Sequence, residues 1–231
     1  MGSPRHREAI ALLVLNLGME PYDRIWELQH RLVKARQENR VDDILMLLEH
    51  EAVITVGRGG DPSHILASAH QLQKASIQVY RIERGGDVTY HGPGQLVGYP
   101  ILYLEAHRLG ISDYMHALER ILIRTLSDFG LAAHRRSGII GVWVGEHKIA
   151  ALGARVQRGV TYHGFALNVA PNLAHFELIV PCGLTDVQVT SMEQELGRPI
   201  STQPVRERLM WHFGQVLAVP LQETSLTELP L

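Results

Sequence analysis

The alternation of apolar and polar residues in the second half of the chain constrains the fold more than any other feature. The pattern runs through Ile139 to Val144, a turn at Gly145-Glu146, His147 to Val156, a turn at Arg158-Gly159, and Val160 to Val169. Period-two segments separated by short glycine turns are typical of antiparallel strands. This region therefore predicts a β-meander.

Shorter patterns predict the other elements. Strands are expected at 10–17, 44–48, 53–56, 77–82, 96–102 and 176–180. Helices are expected behind Pro21 to about Gln37, after Asp61, from an N-cap at Ser112 to Gly130, and from Ser201-Thr202 onward. Together these elements predict one α/β (α+β) domain over 10–220, with a mixed, largely antiparallel sheet and packed helices. A flexible N-terminus at 1–9 and a loosely held tail at 221–231 complete the prediction.

Charge and cysteine content narrow the class of protein. The chain has 22 basic and 24 acidic residues and a formal net charge of -2, which gives no electrostatic basis for binding nucleic acid. One cysteine in 231 residues cannot form an internal disulfide. No apolar run approaches the roughly 18 residues of a membrane span, and Ile10 to Leu17 lacks a signal-peptide cleavage site. A cytoplasmic protein that does not bind membranes is expected.

A glycine-rich stretch precedes the strand at 96–102. It reads Arg84-Gly-Gly-Asp-Val-Thr-Tyr-His-Gly-Pro-Gly-Gln95. Glycine permits positive φ and lets a ligand lie directly against the main chain. The stretch alone fits both a hairpin corner and a binding loop. Because a predicted buried strand follows at once and would hold it in place, the binding loop is favoured.

Cys182 and Lys148 are the candidate reactive pair. Cys182 lies between Pro181 and Gly183, two residues that set a bend, and Lys148 opens an otherwise uncharged run to Gly153. A buried structural cysteine and a solvated lysine are the ordinary alternatives. Lowering a thiol pKa from ~8.5 to ~7 takes about 2 kcal/mol. An ammonium about 4 Å away supplies up to roughly 4 kcal/mol at an effective dielectric near 20, so one lysine would suffice.

The thirteen histidines do not predict a metal site. His91, His147, His163 and His175 lack the HxH or HExxH spacing of zinc ligands. His163-Gly164 stands apart, because a glycine inside a strand suggests that a ligand or another backbone approaches it closely.

Several motifs, taken together and in order, resemble one family. They are Arg84 to Gln95, Gly141-Val-Trp-Val144, Lys148-Ile-Ala-Ala-Leu-Gly153, Thr161-Tyr-His-Gly164, Ala166-Leu-Asn168 and Pro181-Cys-Gly-Leu184. Between about Ile10 and Gly197 the chain resembles the lipoyl(octanoyl) transferases, also called the lipoate biosynthesis protein B family. The resemblance departs at Phe165, where many members have leucine, which bears on the preferred acyl chain length.

The resemblance implies a fold, an activity and site residues. The fold would be that of the biotin and lipoate protein ligase catalytic domains. The activity would move an octanoyl group from octanoyl-acyl carrier protein to a lysine of lipoyl domains in 2-oxoacid dehydrogenase complexes or of the glycine cleavage H protein. No metal, ATP or other cofactor is expected, since transfer from thioester to amide is downhill. The acyl-thioester cysteine falls on Cys182 and the pKa-lowering lysine on Lys148. The implied substrate-binding residues are Arg84, Gly85, Gly86, Asp87, Val88, Thr89, Tyr90, His91, Ala151, Leu152, Gly153, His163, Gly164, Phe165 and Ala166.

Two other functions fit parts of the sequence. An ATP-dependent lipoate or biotin ligase would share the fold but would not need Cys182, and its loop would be expected to read Ser-Gly-Gly-Gly rather than Arg-Gly-Gly-Asp. A non-catalytic module that binds acyl carriers would bind its carrier without acquiring an acyl group on Cys182. The presence of both Cys182 and Lys148 favours the transferase.

Overall fold

A computed structural model describes residues 11–181 and 187–231. The strands are β1 (Leu12–Glu20), β2 (Asp43–His50), β3 (Val53–Val56), β4 (Gln78–Arg81), β5 (Val88–His91), β6 (Gln95–Ile101), β7 (Ala133–Arg136), β8 (Ile139–Val144), β9 (His147–Gln157), β10 (Val160–Asn168) and β11 (Leu221–Thr224). The α-helices are α1 (Tyr22–Gln37), α2 (Ala69–Lys74), α3 (Ile111–Asp128), α4 (Met192–Leu196) and α5 (Thr202–Leu217). In this part of the chain, no helix has the length and apolarity needed to cross a membrane.

Eight strands form one mixed sheet, in the order β11-β1-β2-β6-β10-β9-β8-β7. β1 pairs in parallel with β2 and with β11, and the other neighbours pair antiparallel. β8, β9 and β10 are the predicted meander. Its second turn places Arg158 and Gly159 at positive φ, as tight hairpin turns require. The prediction of a mixed, largely antiparallel sheet with packed helices is confirmed.

The large sheet is buried on both faces. α3 and α5 cover one face, where Leu47, Leu122 and Phe213 belong to the same apolar cluster. α1 covers the other face, where Ile25 and Leu32 pack with alternate residues of β2, β6 and β10. Each fully buried aliphatic side chain contributes about 1.5–3 kcal/mol. Burial on both faces explains why the central strands are apolar almost throughout.

A three-stranded sheet in the order β4-β3-β5 stands beside the large one. Its own apolar cluster includes Ile54, Val88, Tyr90 and Phe176. This sheet includes the middle of the glycine-rich stretch as β5, so the residues expected to form a loop are partly a strand. The physical reason is long-range pairing: β5 is hydrogen-bonded to β3, more than thirty positions earlier in the chain.

Two other predictions of elements were wrong. The expected strand at 176–180 is mainly a 3-10 helix, Leu173–Leu178, because the Asn172 side chain accepts a hydrogen bond from Ala174 N. α3 begins earlier than expected, with Gly110 rather than Ser112 as the N-cap, since Asp113 accepts from Gly110 N. In the region 221–231, for which a loosely held tail is predicted, the structure has β11, which forms the sheet edge beside β1.

A buried charge network ties β2 to α1. Asp43, which is fully buried, accepts hydrogen bonds from Arg36 Nε at 2.7 Å and from Tyr103 N at 3.0 Å, and His107 Nε2 contacts its second oxygen. Burial opposes ionisation of Asp43, yet the hydrogen bonds from His107 and Arg36 outweigh it and hold its pKa below the ordinary value. The carboxylate therefore stays ionised inside the protein.

Candidate active site

A pocket opens between the small sheet, the start of α1 and the middle of the large sheet. Its cavity volume is about 50 Å³, and the pocket is partly open to solvent. Its lining comes from five places in the chain: Tyr22, Arg84, Gly86, Asp87, Thr89, His91, Tyr99, Ala151, Leu152, Gly153, His163, Gly164, Phe165 and Ala166. Twelve of these residues are among those predicted to bind substrate. In the sequence they are spread over more than eighty positions, from Arg84 to Ala166.

Near Gly85 and Gly86, the glycine-rich stretch packs against neighbouring segments through its main chain. Gly57 N donates to Asp87 O at 3.1 Å, and Gly85 N donates to Ala154 O at 3.2 Å. A Cβ on Gly57 would lie 2.4 Å from the carbonyl oxygen of Gly86, whose own φ is +86°. The backbone segments therefore pack against each other without side chains between them. The Gly85 amide is committed to this packing and is not a donor for substrate.

β5 divides the predicted residues between two environments. Asp87, Thr89 and His91 line the pocket, whereas Val88 and Tyr90 face the apolar cluster of the small sheet. This is the period-two alternation of a strand. Val88 and Tyr90, together with Gly85, are the predicted substrate-binding residues that do not line the pocket.

Arg84 is buried and braces the loop that carries it. Its Nη2 donates to Thr55 O at 2.7 Å and to Thr55 Oγ1 at 2.9 Å, and its Nη1 donates to Gly85 O at 3.0 Å. These contacts join β3 to the glycine-rich stretch. Arg84 therefore places a fixed positive charge at the wall of the pocket.

Neutral histidines cluster near this charge. His91 Nδ1 donates to Gln95 Oε1 at 2.7 Å; burial, aided by the nearby His50, lowers its pKa to about 3. His50 Nδ1 donates to Glu20 O at 2.9 Å, and its Nε2 accepts from the Tyr99 hydroxyl at 2.8 Å. Burial lowers the His50 pKa to about 4. Each hydrogen-bond partner fixes one tautomer.

His163 lies at the polar end of the pocket, with φ +55°. Its amide donates to Gln29 Oε1 at 2.8 Å, and Nε2 lies 3.7 Å from Glu83 Oε2. Burial lowers the His163 pKa, while the proximity of His163 is the largest cause that lowers the Glu83 pKa to about 2. Within the described residues both ring nitrogens of His163 lack a hydrogen bond of good geometry. The unusual φ turns this side chain toward α1, against the alternation of β10.

The Phe165 ring lies in the apolar cluster on the face of the large sheet that α3 and α5 cover. The ring stacks on Phe213 with centroids 6.0 Å apart, and a Cβ on Gly98 would meet its Cζ at 2.1 Å. Gly164 has a similar constraint, since a Cβ there would lie 2.3 Å from Gly98 O. β6 and β10 therefore approach closely here, which explains the strand-interior glycine noted in the sequence.

Lys148 is the second residue of β9, three residues before the pocket, and is 5% exposed. Its amide donates to Gln188 O at 2.8 Å, and its carbonyl accepts from Thr190 N at 3.0 Å. On the other side of the cysteine, Val180 N donates to His64 O at 2.7 Å. The chain is thus anchored shortly before and after 182–186, and the later anchor is Lys148 itself. Cys182 lies outside the described residues.

Asp87 links the pocket to the first of these anchors. Its Oδ2 contacts His64 Nδ1, and its Oδ1 accepts from Asp61 N at 3.0 Å. His64 in turn holds Val180. Tyr22 and Tyr99, which also line the pocket, were not predicted: in the sequence they stand in ordinary helix and strand patterns. Among the described residues, no three His, Cys, Asp or Glu side chains come together as a metal site would require.

Comparison with known proteins defines the class of protein. The family model of the lipoyl protein ligase A/B catalytic domain matches residues 21–214, and the chain belongs to this family. Solved structures agree: lipoate-protein ligase A bound with ATP has a TM-score of 0.69 over 94% of this chain and 89% of that chain, at 18% identity. Biotin protein ligase from Aquifex aeolicus has a TM-score of 0.52 over 90% and 68%, at 11% identity. These likenesses establish the fold.

Within the family, the similar curated proteins are octanoyltransferases. The chain is 44% identical to that of Alkaliphilus metalliredigens, over 92% of this chain and 98% of the relative. It is 47% identical to that of Gloeobacter violaceus, over 93% and 94%. It is 48% identical to that of Acidobacterium capsulatum, over 90% of both chains. The resemblance seen in the sequence motifs is confirmed.

Proposed function

We propose that this chain transfers an octanoyl group through a thioester on Cys182, with Lys148 as its proton donor and acceptor. Octanoyl transfer in protein lipoylation follows from the relatives, which match nearly the whole chain. The observation that carries the proposed route is the position of Lys148. It is buried, it lies near the start of the strand that lines the acyl pocket, and its main chain holds the segment that follows Cys182.

The pocket suits an acyl chain in shape. Ala151 to Gly153 on β9 face their partners Gly164 to Ala166 on β10 in register. Three residues of a strand span roughly 10 Å, comparable with an extended octanoyl chain. Small side chains and glycines leave room for methylene groups along this run. The carbonyl would then lie toward the Lys148 end of β9.

In the first half-reaction the Cys182 thiolate attacks the octanoyl carbonyl of the donor thioester. A new carbon–sulfur bond forms, the bond to the carrier thiol breaks, and the departing thiolate takes a proton from Lys148 Nζ. Main-chain amides of the glycine-rich stretch or around Cys182 would stabilise the oxyanion. Gly85 and Gly94 are not available for this, since Gly94 N donates to Glu49 Oε2 at 2.7 Å.

In the second half-reaction the neutral amine of the acceptor lysine attacks the acyl-enzyme. The amide bond forms, Cys182 leaves as a thiolate, and the amine proton passes to the neutral Lys148. The starting ion pair is restored, and no cofactor enters the balance.

Lipoyl domains in general are the acceptors that the family relationship implies. We propose octanoyl-acyl carrier protein as the donor, and lipoyl domains of 2-oxoacid dehydrogenase complexes and the glycine cleavage H protein as acceptors. Arg135 and Arg136 on β7 are basic residues close to the Lys148 region, since Arg136 Cζ lies 4.3 Å from the Trp143 ring and Lys148 Nζ 5.7 Å from it. An acidic carrier domain would be attracted to this edge.

Intact-protein mass spectrometry tests the route. After incubation with octanoyl-acyl carrier protein, the wild type should gain one octanoyl group, and Cys182→Ala should gain none. Adding a lipoyl domain should remove the adduct and acylate the domain. A wild type that acylates the domain without ever carrying the adduct would refute the thioester intermediate. Lipoylation by Cys182→Ser with ATP and free lipoate would instead indicate a ligase.

A further inference from the structure

Gly141 begins the Gly-Val-Trp-Val motif of β8, which the proposed reaction leaves without a role. Its φ is +149°, and the position holds no side chain. A Cβ there would lie 2.7 Å from Lys148 Cε, 3.3 Å from Lys148 Nζ and 3.1 Å from Ala150 O. Carbon atoms do not approach this closely, so any side chain at Gly141 would displace the end of Lys148.

Trp143 forms the other side of the space that Lys148 occupies. It is fully buried and stands opposite Lys148 in the β8–β9 pairing, with Lys148 Nζ 5.7 Å from its ring centroid. A cation at this distance from an indole face is attracted by the ring quadrupole. The register shifts by one residue between Val142 and Trp143, which leaves Ile149 as the extra residue of β9. This bulge sets the direction from which Lys148 leaves the strand.

Glu119 on α3 holds Gly141 in this position. Its Oε1 accepts from Gly141 N at 3.2 Å. Its Oε2 lies 3.0 Å from His116 Nδ1 and 3.8 Å from Arg135 Nη1, and the carboxylate is 4% exposed. A carboxylate whose two oxygens both contact donors or cations is held in a fixed position. The space that holds Lys148, called its seat below, therefore has three parts: an empty position at Gly141, an aromatic face at Trp143, and the Glu119 carboxylate that fixes Gly141.

We propose that Gly141 is a positioning residue for Lys148. The missing side chain at Gly141 leaves the room in which the Lys148 ammonium is held against Trp143 and directed toward its reaction partner. This inference rests on the proposed role of Lys148. A purely conformational role for Gly141 would explain its φ but not the collision with Lys148, and the two explanations predict different results.

A matched glycine separates the two explanations. Gly138, just before β8, also has a positive φ, +78°, but a Cβ there would meet nothing within 4 Å. Gly138→Ala therefore introduces backbone strain without touching Lys148. If strain alone mattered, Gly141→Ala and Gly138→Ala would behave alike. If the seat matters, only Gly141→Ala should affect the chemistry.

Two measurements on the full chain test the proposal. The first is the single-turnover rate of Cys182 acylation by octanoyl-acyl carrier protein; the second is the pH profile of Cys182 alkylation by iodoacetamide. Gly141→Ala should slow acylation by about 100-fold, the order expected for a reacting group misplaced by 1 Å. Its alkylation profile should shift toward that of Lys148→Ala. Gly138→Ala should keep the wild-type rate and profile.

The double variant shows whether Gly141 acts through Lys148. In the Lys148→Ala background the Lys148 atoms that the new methyl group would displace are absent and only the contact with Ala150 O remains. If Gly141 acts through Lys148, Gly141→Ala should therefore have no further effect on either measurement. An equal slowing in both backgrounds, or a Gly141→Ala variant that behaves like Gly138→Ala, would refute the positioning role of Gly141. Neither result would refute the proposed role of Lys148. A Lys148→Ala variant with wild-type rate and profile would refute the proposed role of Lys148 itself.

Should Gly141→Ala not fold, Trp143→Phe keeps the experiment decisive. Phenylalanine leaves Gly141 and the strand pairing intact but offers a smaller, weaker face to the ammonium. It should slow acylation and shift the alkylation profile in the same direction as Gly141→Ala. An unchanged profile in a folded Trp143→Phe protein would overturn the proposal.

Discussion

The two buried histidines, His50 and His91, should make the protein lose stability on mild acidification. Their folded pKa values, about 4 and about 3, lie below the ordinary 6.5. Between pH 6.5 and about 4 the unfolded chain therefore binds more protons than the folded protein. The stabilisation is complete above pH 6.5 and decreases as the pH falls through that window.

The magnitude follows from the difference in proton binding. One pKa unit corresponds to about 1.4 kcal/mol. Since pH 5 lies 1.5 units below the ordinary histidine pKa of 6.5, each neutral buried histidine lowers the free energy of unfolding by about 2 kcal/mol at pH 5. His50 and His91 together should lower the free energy of unfolding by about 4 kcal/mol between pH 7 and pH 5. Both folded histidines remain neutral at pH 5, so their 5.9 Å ring separation adds no charge repulsion there.

Urea unfolding at pH 7 and pH 5 measures this effect. In His50→Asn and in His91→Asn, the difference between the two pH values should be smaller by about 2 kcal/mol than in the wild type. His70→Asn, which replaces an exposed histidine of α2, should leave the difference unchanged. Carboxylates contribute equally to all these proteins and cancel in the comparison. If both buried variants keep the full wild-type difference, the reasoning is refuted.

Three further predictions concern packing, the buried charge and docking. Gly98→Ala should cost about 1–3 kcal/mol in urea unfolding because its methyl group meets the Phe165 ring, and less in a Phe165→Leu background. Asp43→Asn should cost about 3 kcal/mol, since it leaves a buried ion network without its anion. That loss should shrink as the pH falls through the lowered pKa of Asp43. Charge reversal of Arg135 and Arg136 to glutamate should raise the apparent KM for acyl carrier protein.

Each of these predictions has a nearby control. Gly18→Ala adds a methyl group where nothing lies within 4 Å, so it should cost little; an equal cost would contradict the packing argument for Gly98. Asp42→Asn changes the exposed neighbour of Asp43 and should be neutral, and equal losses would argue against the network. Arg24→Glu reverses a distant surface charge. If it raises KM as much as the β7 reversals do, docking at β7 is wrong.

Local sequence patterns predicted the elements whose partners are close in the chain. The meander followed from period-two alternation and from turns at Gly145 and Arg158-Gly159, which the structure places at positive φ. β5 could not be predicted in this way. It is four residues long and exists because it pairs with β3, so only the tertiary arrangement distinguishes it from a loop.

The candidate site was predictable where a motif carried the information. The resemblance named fifteen substrate-binding residues, twelve of which the fold assembles around one pocket, but it could not show that Val88 and Tyr90 point away from it. Tyr22 and Tyr99 gave no sequence signal, because an aromatic residue in an apolar pattern is ordinarily core. Their place at the pocket depends on where α1 meets the large sheet.

The backbone packing at the glycine-rich stretch limits how such a pocket can be altered. Gly86 contributes main chain alone to the pocket wall, and its φ of +86° disfavours any side chain there; behind it, a Cβ on Gly57 would lie 2.4 Å from the Gly86 carbonyl oxygen. Tuning toward shorter or longer acyl groups is therefore expected at side-chain positions of β9 and β10, such as Ala151, Leu152 and Ala166. The position of Gly86 acts as a fixed reference surface against which those side chains set the length of the cavity.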